Sequence, residues 1–169
     1  MAEENGAITC RAATEADIEA LADLRWQMSA EYEAGEVTRQ QYVAAFREAI
    51  ADEMARGRYR AWLAEADGRP VACTALIWWP MPPNLDELHR RRGYVSSVFT
   101  HPDYRRQRLA RTLMEMLLAE ARARADASGH AMAGVGSPRR CAATASARYA
   151  SVGWPRRRSV SVTLSIRST

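Results

Sequence analysis

Val98-Phe99-Thr100-His101-Pro102-Asp103-Tyr104-Arg105-Arg106-Gln107-Arg108-Leu109-Ala110-Arg111 is the stretch whose reading decides the fold. It begins as a strand and breaks at His101-Pro102, because proline lacks the ladder donor. An arginine-rich turn follows, and then a helix predicted over Arg106–Arg124. Leu109, Leu113, Met116 and Leu117 form that helix's apolar face, and Glu120 stands four residues before Arg124, a favourable spacing. At such a strand-turn-helix, free backbone N–H groups and the positive end of the helix dipole converge, which makes an anion site. Arg105, Arg106, Arg108 and Arg111 raise the local potential, and guanidinium forks suit phosphate oxygens. The residues alone therefore point to a phosphate or pyrophosphate ligand. An exposed helix start that is merely basic has the same sequence, and both readings stand at this point.

Working outward, Ile8-Thr9-Cys10-Arg11-Ala12 alternates as a short first strand. Thr14 precedes Glu15 and Asp17, acids suited to a helix N-terminus, and Ile18, Leu21, Leu24 and Met28 follow at helical spacing. A second helix runs from about Thr38 to Ala55, with Tyr42, Phe46, Ile50 and Met54 on one face and Gly57 as its stop. Tyr59–Ala66 and Val71–Trp79, separated by the turn Asp67-Gly68-Arg69-Pro70, predict an antiparallel hairpin. Gly93–Thr100 is the next strand. Beyond the long helix, His130–Gly136 reads as a weak strand, Ala142–Ser151 as a helix, and Ser159–Ile166 as a closing strand. The order is a mixed α/β pattern around one sheet, with no repeat or linker, so residues 1–169 form one domain.

The chain of 169 residues carries 24 basic groups, all of them arginine, against 20 acids, for a net charge of +4. Its 47% of apolar residues excludes a disordered chain, and no apolar run approaches the ~20 residues of a membrane span. The acidic start Met1-Ala2-Glu3-Glu4-Asn5 is unlike a signal peptide, which predicts a cytoplasmic protein with no membrane partner. Cys10, Cys73 and Cys141 show no close pairing, and His89, His101 and His130 have no metal-ligand spacing; no metal site is expected. Charge is uneven: residues 127–169 hold seven arginines and no acid. A polyanion partner or a solvated surface would both account for that tail. Nucleic acid is disfavoured, because the basic stretch has no interleaved aromatics and no recognition motif.

At its central stretch the sequence resembles the GNAT superfamily of acetyl-CoA-dependent N-acetyltransferases. That family's signature is Arg or Gln, two residues, Gly, one residue, then Gly or Ala; here it stands as Arg105, Arg106-Gln107, Arg108, Leu109, Ala110. Thr100–Tyr104 resembles the family's lead-in, and Tyr149-Ala150-Ser151-Val152-Gly153-Trp154 resembles its Tyr, three residues, Gly-Phe ending. With the early strand and helix and the hairpin, the likeness covers most of the chain. One position departs: the signature glycine is Arg108. Helical dihedrals there would leave arginine unstrained, whereas a requirement for positive φ or close approach would weaken cofactor binding.

The resemblance implies a mixed, mostly antiparallel central sheet flanked by helices, an α/β fold of α+β type, with a splayed central strand pair. It implies acetyl-CoA as acyl donor, its pantetheine arm along Val98, Phe99 and Thr100. The pyrophosphate would lie at Arg105, Arg106, Gln107, Arg108, Leu109, Ala110 and Arg111. An amine of a small molecule or peptide would attack the thioester directly, and Tyr149 matches the general acid that protonates the departing thiolate; an ordinary phenol, with a pKa of about 10, is protonated at neutral pH. The alternative is a GNAT-like acyl-CoA-binding domain with weak or no catalysis. No base is assigned: Asp86, Glu87, Ser96 and Ser97 occupy no specific motif position. The acceptor would sit beneath the first two helices, near Trp26, Glu31, Tyr32, Glu33 and Glu36. By analogy with the family, a homodimer is an open expectation.

Overall fold

A computed structural model describes residues 7–31, 35–80, 82, 91–127, 130–133 and 162–168. Strand β1 (Ile8–Ala12) leads through a 3-10 turn (Glu15–Asp17) into helix α1 (Ile18–Ala30), and helix α2 (Arg39–Ala55) follows. Strands β2 (Tyr59–Ala66), β3 (Arg69–Pro80) and β4 (Arg91–Thr100) come next, then helix α3 (Leu109–Ala127) and strands β5 (His130–Ala133) and β6 (Val162–Ser168). They form one sheet in the order β1-β2-β3-β4-β6-β5, and every ladder among the described strands is antiparallel. Among the described residues no helix is long and apolar enough to cross a membrane. The helix expected over Ala142–Ser151, and Tyr149 with it, lies outside the described residues, as do Asp86 and Glu87.

Local chemistry accounts for the element ends. Thr38 starts α2 through a capping box: its hydroxyl accepts from the Gln41 N–H at 3.3 Å, while the Gln41 side chain accepts from the Thr38 N–H at 2.9 Å. Gly57, at φ +65°, closes the same helix. Its N–H donates to Met54 O at 2.9 Å and the Arg58 N–H donates to Glu53 O at 2.8 Å, the paired bonds of a Schellman motif. The β2–β3 turn is tighter than the sequence suggested. Asp67 and Gly68, at φ +51° and +73°, make a two-residue turn that twists with its strands. Arg69 and Pro70 already belong to the ladder, and a register shift between Ala64 and Glu65 relieves the missing proline donor.

The sheet separates two cores. On one face, Leu109, Leu113, Leu117 and Ala121 of α3, spaced by four, pack on Trp62, Ala64, Ala72, Leu76, Trp78 and Val95. On the other, Leu21 and Leu24 of α1 and Phe46 and Ile50 of α2 cover Tyr59, Leu63, Cys73 and Phe99. Alanines 61, 64, 72 and 75 occupy the sheet centre, which lets the helices approach closely, and all four are buried. Leu113 and Leu117 are fully buried; each contributes about 1.5–3 kcal/mol by leaving water. Arg11 locks the sheet's outer edge to the start of α1. Its guanidinium donates to Asp17 at 2.7 and 2.8 Å and to Glu65 at 2.7 and 3.0 Å.

Candidate functional site along β4 and the turn before α3

A register shift shapes β4. Cys73 pairs with Phe99 but Ala75 pairs with Ser96, so Ser97 and Val98 together face the single residue Thr74, a β-bulge. Ser97 is its left-handed residue, at φ +55°. Such a conformation costs a non-glycine residue about 1–2 kcal/mol, and surrounding contacts hold it. The Arg25 Nη1 donates to Ser97 Oγ at 2.6 Å, and the Cys73 thiol donates to the Ser97 carbonyl at 3.2 Å. Burial pushes the Cys73 thiol up to about 12, and it pushes the Tyr59 phenol upward too, so both groups stay neutral beside Arg25.

The described β4–β6 ladder joins Arg92 through Val95, where Val162 pairs with Val95; the residues before Val162, and with them the expected splay of the central pair, lie outside the described residues. The His101 N–H donates to Val71 O at 2.8 Å, toward β3. By antiparallel alternation Phe99 also faces β3, whereas the N–H and C=O groups of Val98 and Thr100 face the opposite edge. Phe99, whose ring is buried in the α1 and α2 core, offers neither an edge amide nor an exposed side chain. The three residues predicted along this edge therefore divide into two that face it and one that supports it from behind.

Between β4 and α3 a 3-10 turn (Pro102–Tyr104) leads into the arginine segment. The helix expected from Arg106 begins at Leu109 because Arg106 and Arg108 both adopt positive φ, +66° and +63°. Arg105 is extended, at φ −67°, and Gln107 is not among the residues of positive φ. Handedness thus alternates through four residues, an arrangement that turns successive N–H groups toward one concavity and suits an anion. The Thr112 N–H donates to Arg108 O at 3.0 Å. The amides of Leu109, Ala110 and Arg111 precede it, so they have no intrahelical acceptor. Arg108 settles the question its sequence position raised: the backbone takes the glycine-like conformation without the glycine.

The four guanidinium groups are not equivalent. Arg105 Nε donates to Thr100 O at 3.1 Å and its Nη2 donates to Glu31, just past the end of α1. Arg105 is thereby tied across the turn. Arg111 pairs with Glu115 at 2.8 Å, one helical turn on. Arg106 and Arg108 are exposed and have no ion-pair partner among the described residues. Leu109 is buried in the core and Ala110 is half-buried, so each offers the site its backbone N–H.

Of the residues expected near an acceptor, Trp26 packs on Tyr42 at 5.3 Å, Glu36 is exposed, and Glu31 is held by Arg105. Tyr32 and Glu33 lie outside the described residues. Arg25 was missed. Its signal was an arginine four residues after Leu21 and three before Met28, within the apolar stripe of α1. The Ser97 bulge had no comparable signal, since serine is not diagnostic of positive φ.

The Acetyltransferase (GNAT) family matches over residues 19–145. No curated protein matches the chain. Among solved structures, a GCN5-related N-acetyltransferase from Ralstonia eutropha JMP134 is similar at TM-score 0.62 and 25% identity, over 90% of this chain and 95% of that one. A predicted acetyltransferase with acetyl-CoA from Clostridium acetobutylicum shares the fold at TM-score 0.62 and 22% identity, over 70% of this chain and 75% of its own. An aminoglycoside N-acetyltransferase in complex with CoA shares it at TM-score 0.54 and 15% identity, over 94% and 95% respectively.

Proposed function

The chain belongs to the acetyltransferase (GNAT) family, which makes it an acyltransferase, and from that premise we propose that it moves the acetyl group of acetyl-CoA onto a primary amine of a small molecule or peptide by direct attack. The observation that carries this reading is the juxtaposition of the β4 edge that faces away from β3 with a turn of alternating handedness. Val98 and Thr100 turn their N–H groups to that edge, and the Thr100 carbonyl accepts from Arg105 Nε at 3.1 Å. Arg106 and Arg108 bracket the amides that open α3. An elongated ligand with amides along its arm and a pyrophosphate at one end matches that pattern, and acetyl-CoA is such a ligand.

On this reading Val98 and Thr100 hydrogen-bond the pantetheine amides. The N–H groups from Gln107 to Arg111 receive the pyrophosphate, with the Arg106 and Arg108 guanidiniums beside it. Phe99 and Leu109 hold the two backbone segments in place from the cores, and Arg105 positions the turn against Thr100. The neutral acceptor nitrogen attacks the thioester carbonyl carbon, the C–S bond breaks, the sulfur takes a proton, and the new amide nitrogen releases one to solvent water. Tyr149 supplies the proton to sulfur, a role suited to a phenol that is protonated at neutral pH.

Thiol release from acetyl-CoA, measured against a panel of amines, tests the proposal. Amine-dependent release supports it, and tight CoA binding without release from any amine overturns it in favour of a binding domain. Tyr149→Phe should lower turnover without weakening CoA binding; unchanged turnover removes Tyr149 from the acid role.

A further inference from the structure

Arg25 occupies the buried stripe of α1, where an arginine needs a reason. Its side chain crosses to β4 and donates one Nη1 hydrogen bond to Ser97 Oγ at 2.6 Å. The residue is half-buried, yet no carboxylate among the described residues pairs with it. The described acids nearest to it in sequence pair with other arginines: Asp23 Oδ2 with Arg39 at 2.5 Å, Glu19 with Arg47 at 3.1 Å, and Glu31 with Arg105. The groups around it, Tyr59 and Cys73, are held neutral by burial. A charge partly withdrawn from water without a counter-ion is costly, and an arriving anion relieves that cost. Among the described residues that one Nη1 bond leaves the Nε/Nη2 edge of the guanidinium open, the edge that receives a carboxylate through two parallel bonds.

Position says which molecule brings the anion. Ser97 lies at the β4 bulge, about 10 Å of strand from Thr100, with the phosphate-seeking turn beyond Thr100. A donor laid along Val98–Thr100 with its phosphates at the turn has only its uncharged acyl end near Ser97. The anion at Arg25 therefore belongs to the other substrate. Ser96 Oγ, buried and without a hydrogen-bond partner among the described residues, lies one residue away. Val95 packs on the α3 side, so alternation places Ser96 on the α1 side with Ser97.

We propose that Arg25 receives a carboxylate of the acceptor, making the acceptor class an amine that carries a free carboxylate, as in an amino acid. This inference rests on the acetyltransferase reading and adds the substrate class. A single guanidinium edge matches a planar monoanion. A dianionic phosphate ester would meet one cation here among the described residues, so phosphorylated amines are the poorer acceptors.

The test compares amino acids with their carboxamides, in which the amine is kept and the carboxylate lost, alongside a phosphorylated amine, by kcat/KM for thiol release. In the unmodified protein the acid exceeds its amide by about tenfold to a hundredfold, the range of a charge-assisted hydrogen bond. In Arg25→Gln that ratio collapses to within about threefold, and in Arg25→Lys it is intermediate, because a point charge keeps attraction but loses the fork. CoA affinity measured on each variant reports whether the site has kept its shape, and the comparison within the unmodified protein needs no variant. A wild-type preference for the amide or the phosphate overturns the inference. So does an Arg25→Gln loss that is equal for acid and amide, which would place Arg25 at the thioester instead. Absence of release from every amine is a different result: it overturns the acetyltransferase reading, and this inference with it.

Discussion

Restoring glycine at position 108 separates two effects that the structure places on one residue. Arg108 holds φ +63° at the start of α3 while its carbonyl accepts from Thr112 N–H at 3.0 Å. Left-handed backbone costs a residue with a Cβ about 1–2 kcal/mol. Glycine removes that cost but returns about 0.5–1 kcal/mol of extra freedom to the unfolded chain. The net expectation for Arg108→Gly is a gain of about 0.5–1 kcal/mol, or a melting temperature higher by about 2 °C for a chain of this size. Binding moves the other way. The exposed guanidinium beside the α3 amides has no partner among the described residues, so its loss removes one cation from the phosphates. An exposed pair is worth about 0.2–1 kcal/mol, so CoA affinity should fall two- to fivefold at low salt and converge with wild type at high salt. Thermal melting and calorimetric titration at two salt concentrations measure both. Gln107→Gly is the control: its φ is not positive, so glycine there should destabilise. A melting point unchanged or lower in Arg108→Gly refutes the strain argument. Tighter CoA binding refutes the claim that the arginine helps rather than obstructs.

Three further outcomes follow from the same geometry. Gly57→Ala places a Cβ at 3.5 Å from Arg124 Nη2, an ordinary contact, so the cost is conformational; about 1–2 kcal/mol lowers the melting temperature by about 4 °C. Asp17 is held below the usual carboxylate range, first by its hydrogen bonds from Arg11. Its contribution is therefore complete above the unfolded value of about 3.9 and is lost as pH falls toward the folded value. Asp17→Asn should cost about 1 kcal/mol at pH 7, discounted because Arg11 is 40% exposed, and should flatten the fall in urea midpoint below pH 4. Glu31→Gln frees Arg105 from its ion pair and raises the potential at the turn by one charge, so CoA affinity should rise two- to fivefold at low salt; unchanged affinity would show that Arg105 does not face the phosphates.

What the sequence revealed was whatever is written in side-chain period or in glycine and proline. The leucines of α3 announced its buried face, Gly57 announced the end of α2, and Asp67-Gly68 announced a hairpin. What it concealed was backbone handedness carried by ordinary residues. Arg106, Arg108 and Ser97 all take positive φ without glycine, so the late start of α3 and the bulge in β4 had no local marker. Those two features are also the ones that shape the site, because a strained turn and a bulge persist only where surrounding contacts determine them. Arg25 was legible in principle as a charge on an apolar stripe. Its meaning depended on Ser97, 72 residues away in sequence.

Charge along β4 then acquires a direction. The acids of the first two helices do not make the site negative, because Asp23 and Glu31 are each engaged by an arginine. Among the described residues this leaves Arg106 and Arg108 at one end of the stretch and Arg25 at the other, with the uncharged backbone of Val98 and Thr100 between them. On the proposed reading, a donor carrying several phosphates takes the end with two exposed cations and the amides of α3, where desolvation is small. A singly charged acceptor takes the half-buried end, where a single guanidinium counts for more because water screens it less. Reversing the two would leave a polyanion facing one half-buried cation and an unsatisfied helix start at the other end, so on that reading the unequal burial of one residue type sets which substrate enters from which side.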